Sequence, residues 1–301
     1  MAVKFGDSER KIQEIFAVGK AFEYKDNKYK VKKVGKPVCT KGEPKTDIYI
    51  LGVSSDGKEL ELKISFKQEN ADFLENKINA ERAKQLLGDD WKQVLINSIS
   101  SIRAKFEAKP LVYKKDKGKT KDGCITLGWK FEILNKSSGD LSGVMSLTDA
   151  QKIDVYAGTN LSVDKKNAKV GGDEIDNSGI ATHILYEHDV TENIQSVVNS
   201  LVSIDKYATQ HGDLYFACKA LNCRTKADVR YKHDGNRPLA VYVLWTVKEG
   251  KLVGDIQYND PLGKYGNEVK NLLVNSLKEL NIVTTDDIDE NNLLDCTKLY
   301  S

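Results

Sequence analysis

Apolar and polar residues alternate most clearly over 42–67, GEPKTDIYILGVSSDGKELELKISFK. Ile48, Ile50 and Val53, then Leu60, Leu62, Ile64 and Phe66, make two strand-like runs joined by the polar turn SSDGK. Strand side chains alternate with a period of two, so this pattern predicts a hairpin with one buried face. Upstream, Ile12, Ile15, Phe16 and Gly19 form one stripe, predicting a helix over 8–22 capped by Ser8. The lysine-rich stretch between them reads as a connection. Helices are predicted over 70–87 and 90–106, the second with Trp91, Val94, Leu95, Ile102 and Phe106 at helical spacing. Over 111–133 the pattern changes to a β-ribbon around the turn DKGKTKDG.

In the second half, a short helix is expected at 148–156. Thr191 is expected to open another, with Ile194, Val197, Val198, Leu201 and Ile204 on one face, followed by a helical stretch at 213–221. Strands are expected over 227–231, 239–248 and 251–258, with a tight turn at Glu249-Gly250, and an amphipathic helix over 265–280. The order helix–strand–strand–helix, then ribbon, helices and strands, is that of a mixed α+β (α/β) protein. No low-complexity linker divides the chain. A soft boundary within 107–140 separates a core at 1–110 from a basic ribbon and α+β region at 111–301.

Composition narrows the class. The 301 residues are 40% hydrophobic and 30% charged, ordinary for a globular chain. No run of 18 apolar residues predicts a membrane span, and MAVKFGDSERK lacks the apolar centre of a signal peptide, so a cytoplasmic location is expected. The 5 cysteines form no C-x-x-C pair, which predicts reduced thiols and no zinc site. The net charge of +2 hides an uneven distribution. Lysine dominates 20–45 and 103–136, while Asp286, Asp287, Asp289, Glu290 and Asp295 offset it near the C-terminus. Clustered base of this kind suits a polyanion-binding face.

Candidate chemistry sits in the hairpin. Glu61 and Lys63 share one strand face, and Asp47 approaches that face if the two runs pair. Two carboxylates holding Mg²⁺ beside an ammonium group are the minimum equipment for phosphodiester hydrolysis. Asp47, a spacer and Glu61-Leu62-Lys63 resemble the motif of the PD-(D/E)XK nuclease superfamily. The Pro44-Lys45-Thr46-Asp47 wording resembles its type II restriction endonucleases. The resemblance covers about 30 residues, and the proline stands three before the aspartate rather than next to it. It implies a restriction-endonuclease-like sheet flanked by helices and a Mg²⁺-dependent endonuclease acting on double-stranded DNA, with a homodimer as the assembly to expect. Asp47 and Glu61 would bind metal, with the Leu62 carbonyl as a third oxygen, and Lys63 would orient the attacking water. A glutamate of the first helix joins the site in many relatives. Glu9, at the edge of the apolar stripe, is preferred to Glu14. Ser65 and Lys67 continue the same face toward the scissile strand.

DNA contacts are expected from Lys114, Lys115, Lys117, Lys119 and Lys121 on the ribbon turn and, for base reading, from Arg224, Lys226 and Arg230. CRTKADVRY followed by LAVYVLWTVK echoes the first hairpin, but Tyr242 and Leu244 stand where an acid and a lysine would be. Chance similarity of two hairpins accounts for that. The four histidines are scattered, and no phosphate-binding glycine loop or G-x-S-x-G elbow occurs. Two other readings fit the same residues: a non-catalytic DNA-binding or assembly protein of phage or mobile-element type, and a structure-specific nuclease.

Overall fold

The computed structural model describes residues 5–40, 42–67, 73–76, 78–226 and 231–301. The chain is mixed α/β and forms two units interleaved in sequence. One unit takes 1–72, 85–88 and 147–212, the other 73–84, 89–146 and 213–301. The single boundary expected between 110 and 111 is therefore not where the units part. The first unit takes back a segment from the second half of the chain.

In the first unit, helix α1 (Phe5–Ile15) precedes strands β1 (Ala21–Tyr24), β2 (Asn27–Gly35), β3 (Ile48–Ser54) and β4 (Glu59–Lys67). α1 starts earlier and stops earlier than its apolar stripe suggested. Gly19 at φ +93° lies beyond its end, and the chain turns into β1. Ser8 does not cap the helix; its hydroxyl donates to Glu187 Oε1 at 3.1 Å. The lysine-rich "connection" is itself a hairpin. Lys25 and Asp26 both take positive φ, as a two-residue turn requires, and NKYKVKKVG alternates lysine with Tyr29, Val31 and Val34. The many lysines hid a period-two strand.

β1 to β4 form an antiparallel meander. The strand His183–Tyr186 then pairs parallel to β4, with Ile64 beside His183 and Lys67 beside Tyr186, and Val202–Ser203 closes the six-stranded sheet. On one face Ile12, Phe16, Ile48, Ile50, Leu62, Ile64, Phe66 and Val197 are fully buried in one cluster. Each such side chain contributes about 1.5–3 kcal/mol of burial free energy. The 191–204 helical stretch divides into Ile194–Ser200, capped by Asn193 rather than Thr191, and Ile204–Gln210.

His183 sits in this sheet, 8% exposed, its Nε2 sharing a hydrogen bond with the Tyr24 hydroxyl (2.8 Å) and its Nδ1 with the Thr182 hydroxyl (2.9 Å). Burial, with Lys25 nearby, lowers its pKa to about 4. The unfolded chain protonates histidine near pH 6.5, the folded chain only near 4, so stability is lost as pH falls through that window. The expected loss between pH 7 and pH 4 is about 3 kcal/mol at most. Denaturant midpoints across that range, compared with those of His183→Gln, check it. A wild type whose pH profile matches the variant's would contradict the assignment.

The second unit is organised on the strand Cys124–Leu134. It lies antiparallel to Tyr215–Arg224 on one side and to the hairpin Val241–Lys248/Lys251–Gln257 on the other. The Glu249-Gly250 turn and the helix Gly266–Glu279 stand close to their expected places. That helix packs Val269, Leu273 and Leu277 against the sheet. Trp245 Nε1 donates to the Thr126 carbonyl at 2.9 Å. Helices Trp91–Ser100 and Arg103–Glu107 set Phe106 edge-on to Trp129, with ring centroids 5.1 Å apart. Of the predicted 70–87 helix, only Ala80–Leu87 is helical; Phe73–Glu75 is a strand, and 68–72 and 77 lie outside the described residues. The expected helix at 213–221 is instead part of the strand Tyr215–Arg224, where ten-residue pairing with the central strand overrides the helical wording ACKAL. The expected strand at 227–231 lies outside the described residues except Tyr231, and so does Asp228, the aspartate within CRTKADVRY that would match Asp47 in the echo. No helix among the described residues is long and apolar enough to cross a membrane.

Candidate functional site

The hairpin register decides which side chains meet. β3 and β4 pair Ile48 with Ile64, Tyr49 with Lys63 and Leu51 with Glu61. The Asp47 backbone N–H donates to the Ile64 carbonyl at 2.8 Å, and its side chain faces Ser65, not Glu61. Four residues of strand separate Asp47 from Leu51, the partner of Glu61, which is roughly 13 Å at about 3.3 Å per residue. Asp47 and Glu61 are not brought together as a metal pair.

Glu61 and Lys63 form a separate cluster. Lys63 Nζ lies 3.6 Å from Glu61 Oε2, and the Tyr49 hydroxyl donates to Glu61 Oε1. Burial, reinforced by Glu61, pushes the Tyr49 hydroxyl well above its ordinary pKa. Lys63 is nearly buried, and its backbone is gripped by the Thr182 hydroxyl, which accepts from Lys63 N and donates to Lys63 O at 3.2 Å. This is a structural lock between sheet strands.

A different group of charges gathers around Asp47. Lys45 and Thr46 donate their backbone N–H groups to the Gly179 carbonyl, at 3.0 and 3.2 Å. A Cβ at Gly179 would fall 1.8 Å from the Lys165 carbonyl oxygen, so only glycine permits this anchoring. Asp47 Oδ2 then accepts from the Phe66 backbone N–H at 2.8 Å and from the Ser65 hydroxyl at 3.4 Å. Glu9 reaches the same corner from α1, 4% exposed, with both carboxylate oxygens on Lys36 Nζ at 2.8 and 3.1 Å. Burial raises the pKa of Asp47; Lys67 and the Phe66 hydrogen bond oppose the rise, and Glu9 adds to it. Burial acts against the charge of Lys36, but Glu9, then Asp47 and Glu43, hold its pKa above the ordinary value. Lys67 makes no ion pair among the described residues.

The corner therefore holds two carboxylates and two ammonium groups on the first helix and the ends of β2, β3 and β4. Of the expected residues, it includes Asp47 and Glu9 and leaves out Glu61 and Lys63. Ser65 and Lys67 take the places next to Asp47. The turn carries the signal that finds them: a hairpin centred on Asp56 pairs residues equally distant from it, nine before being Asp47 and nine after being Ser65.

As for metal, no three His, Cys, Asp or Glu side chains among the described residues gather as a cage. Mg²⁺ does not require one; it is held by one or two carboxylates plus waters and substrate phosphate oxygens. Asp47 and Glu9 are hard oxygen donors of that kind, and Asp47 Oδ1 accepts no hydrogen bond among the described residues. The donor set fits.

The proposed DNA-contacting residues divide. Lys114 Nζ donates to the carbonyls of Asp286 (3.0 Å) and Ile288 (2.9 Å), and Lys121 pairs with Asp116 at 2.9 Å, so both are engaged within the fold. Lys115 and Lys117 are exposed, over the Tyr300 ring at 5.3 and 4.3 Å, and Lys119 is exposed with no partner among the described residues. Arg224 and Lys226 both grip Asp122, Arg224 Nη2 at 2.9 Å. Both are thereby engaged within the fold at the ribbon base. Arg230 lies outside the described residues. No family model matches the chain, nor does any curated protein or solved structure.

Proposed function

We propose that the protein is a Mg²⁺-dependent endonuclease of double-stranded DNA, restriction-like and sequence-specific, whose active site is the Asp47 corner. The observation that carries this reading is Asp47 itself. A carboxylate is held half-buried at a strand end, one oxygen fixed by Phe66 and Ser65, with Glu9, Lys36 and Lys67 acting on its charge. Burying a carboxylate is costly, and folds keep such a group where chemistry uses it. Asp47 and Glu9 would hold Mg²⁺, which when bound supplies charge neutralisation at a phosphoryl oxygen and acidifies a water. Lys67 would orient the attacking water and donate to the phosphorane oxygens as negative charge grows on them. Ser65 fixes Asp47 and faces the scissile strand. A homodimer would bring two such corners to the two strands.

Digestion of plasmid with purified protein, with and without Mg²⁺, followed by sequencing of the ends, tests the reading. Discrete ends that require Mg²⁺ support it; intact plasmid at all metal concentrations sinks it.

The ion pair closing Glu9 favours a second reading, a DNA-binding protein without catalysis. Lys36 Nζ already bonds both Glu9 oxygens, which a metal would have to share. Such a protein binds DNA equally well with EDTA and never cuts it.

On either reading the exposed ribbon lysines contact phosphates. Replacing Lys115, Lys117 and Lys119 with alanine is expected to flatten the slope of log affinity against log salt by about 0.9 per lost contact. Adding Lys114→Ala is expected to lower stability instead, since Lys114 is bonded inside the fold. Fluorescence anisotropy from low to high salt reads the slope, and an unchanged slope would remove the ribbon from the interface.

A further inference from the structure

We propose that a cleft in the second unit binds one nucleotide, its base edge read by Asn222 and its phosphate held by Lys119 and Lys219. The cleft measures about 380 Å³, in the range of small-molecule sites and sufficient for one nucleotide. It lies on the face of the central sheet that carries Trp129 and Cys218, apart from the Asp47 corner in the other unit.

Asn222 is the unexplained residue. Its Oδ1 is buried, and its side chain makes no hydrogen bond among the described residues. Turning the amide over only exchanges an unpaired acceptor for an unpaired donor. Buried polar groups are normally satisfied, so an amide lining a cleft without a partner points to a ligand. The backbone is shaped around it. Register slips between Leu221 and Asn222, so Asn222 faces Thr126 across the ladder rather than Leu127. The slip depends on Gly128 at φ +155°, where a Cβ would fall 2.4 Å from the Val241 carbonyl oxygen. The bulge thus puts a hydroxyl, instead of a leucine, beside the amide, a use of bulges seen near binding sites.

The cleft is basic. Lys109, Lys119 and Lys219 line it, against Asp140, which Lys109 already neutralises at 2.9 Å. Among the described residues Lys119 makes no hydrogen bond or ion pair, and Lys219 reaches Ser138, at 3.3 Å to its hydroxyl and 3.4 Å to its carbonyl. Neither ammonium group forms an ion pair among the described residues, although the Glu132 carboxylate acts on Lys219, and two such groups on one cleft favour an anion. An amide with adjacent donor and acceptor selects a heterocycle edge, as asparagine does with adenine. A nucleotide satisfies both; inorganic phosphate satisfies only the first. The inference rests on the cleft's own chemistry and does not require cleavage.

Full-length protein in EDTA is titrated calorimetrically with the four deoxynucleoside monophosphates and with inorganic phosphate. At least one nucleotide is expected to bind about tenfold or more tightly than phosphate. Asn222→Leu is expected to remove that advantage, leaving phosphate binding intact. Asn222→Gln, which keeps the amide, is expected to restore part of it and guards against misfolding. Lys119→Ala with Lys219→Ala is expected to weaken nucleotide and phosphate alike. A second arm uses duplex DNA containing 2-aminopurine, whose fluorescence rises when the base leaves the stack. A rise that Asn222→Leu abolishes assigns the cleft to a nucleotide of the strand. Nucleotide binding without a rise assigns it to the free nucleotide. Binding of nucleotides no tighter than phosphate, or unaltered in Asn222→Leu, overturns the proposal. Asp47→Asn tests the cleavage reading separately, because loss of cutting with nucleotide binding retained leaves this proposal standing.

Discussion

Asp47→Asn is expected to abolish Mg²⁺-dependent DNA cleavage and to raise the melting temperature at the same time. The two effects share one cause. Burial makes the Asp47 carboxylate costly to ionise, opposed in part by Lys67 and the Phe66 N–H. Removing its charge deletes a metal ligand, worth several kcal/mol of transition-state stabilisation, so cleavage should fall by at least about 10³-fold. The amide keeps an oxygen for the Phe66 N–H, so the hydrogen bond of 2.8 Å survives. The sign of the stability effect follows from the raised pKa. In the unfolded chain the carboxyl ionises near pH 3.9, in the folded chain at a higher pH. Below the lower value both states are protonated and nothing is lost. As pH rises through the folded value, the folded state must carry a disfavoured charge, and wild-type stability falls relative to the variant. The melting-temperature difference should therefore be near zero at pH 3.5 and widen toward pH 7. Each kcal/mol of that difference would appear as roughly 2–4 °C for a domain of this size. Calorimetric melts across that range check it. A variant less stable than wild type at pH 7 would mean that Asp47 is a structural carboxylate, and one that cuts normally would remove it from the site.

Lys67→Ala and Lys63→Ala are expected to fail in opposite ways. Lys67 is near enough to act on Asp47 and has no ion pair of its own among the described residues. Losing one positioned donor to a developing charge typically costs about 10²–10³ in kcat. Lys67→Ala should lose that much, with little change in melting temperature or in DNA affinity measured with Ca²⁺. Lys63 is held against Glu61 and nearly buried. Its removal leaves Glu61 short of a partner and should cost about 1–3 kcal/mol of stability. Its kcat per folded molecule should stay within a few-fold of wild type. Glu61→Gln should behave like Lys63→Ala. Single-turnover cleavage beside denaturant melts separates the outcomes. If Lys63→Ala kills turnover and Lys67→Ala does not, the active site is the Glu61–Lys63 cluster and the Asp47 corner is structural.

The sequence by itself determined the elements with strong local periodicity. The β3–β4 hairpin, the Val241–Lys248/Lys251–Gln257 hairpin with its Glu249-Gly250 turn, and the helix Gly266–Glu279 are legible because each is fixed by its own apolar pattern and turn residues. Asp47 and Glu9 stand out in the sequence as carboxylates at the edges of apolar runs, and the fold brings them near enough to act on each other. Register was only half legible. The turn centre at Asp56 implies Ser65 opposite Asp47, whereas the string E-x-K points to Glu61, and a shift of four residues along a strand leaves every face unchanged while moving a partner by roughly 13 Å. Tertiary structure decided the rest. Only long-range packing inserts His183–Tyr186 parallel to β4, brings Lys36 onto Glu9, and turns 215–224 from a helical wording into a strand. Partners distant in sequence supply those free energies, and local patterning carries no trace of them. The bulge that aims Asn222 into its cleft belongs to the same class, since it exists only where Gly128 lets the Val241 backbone come close.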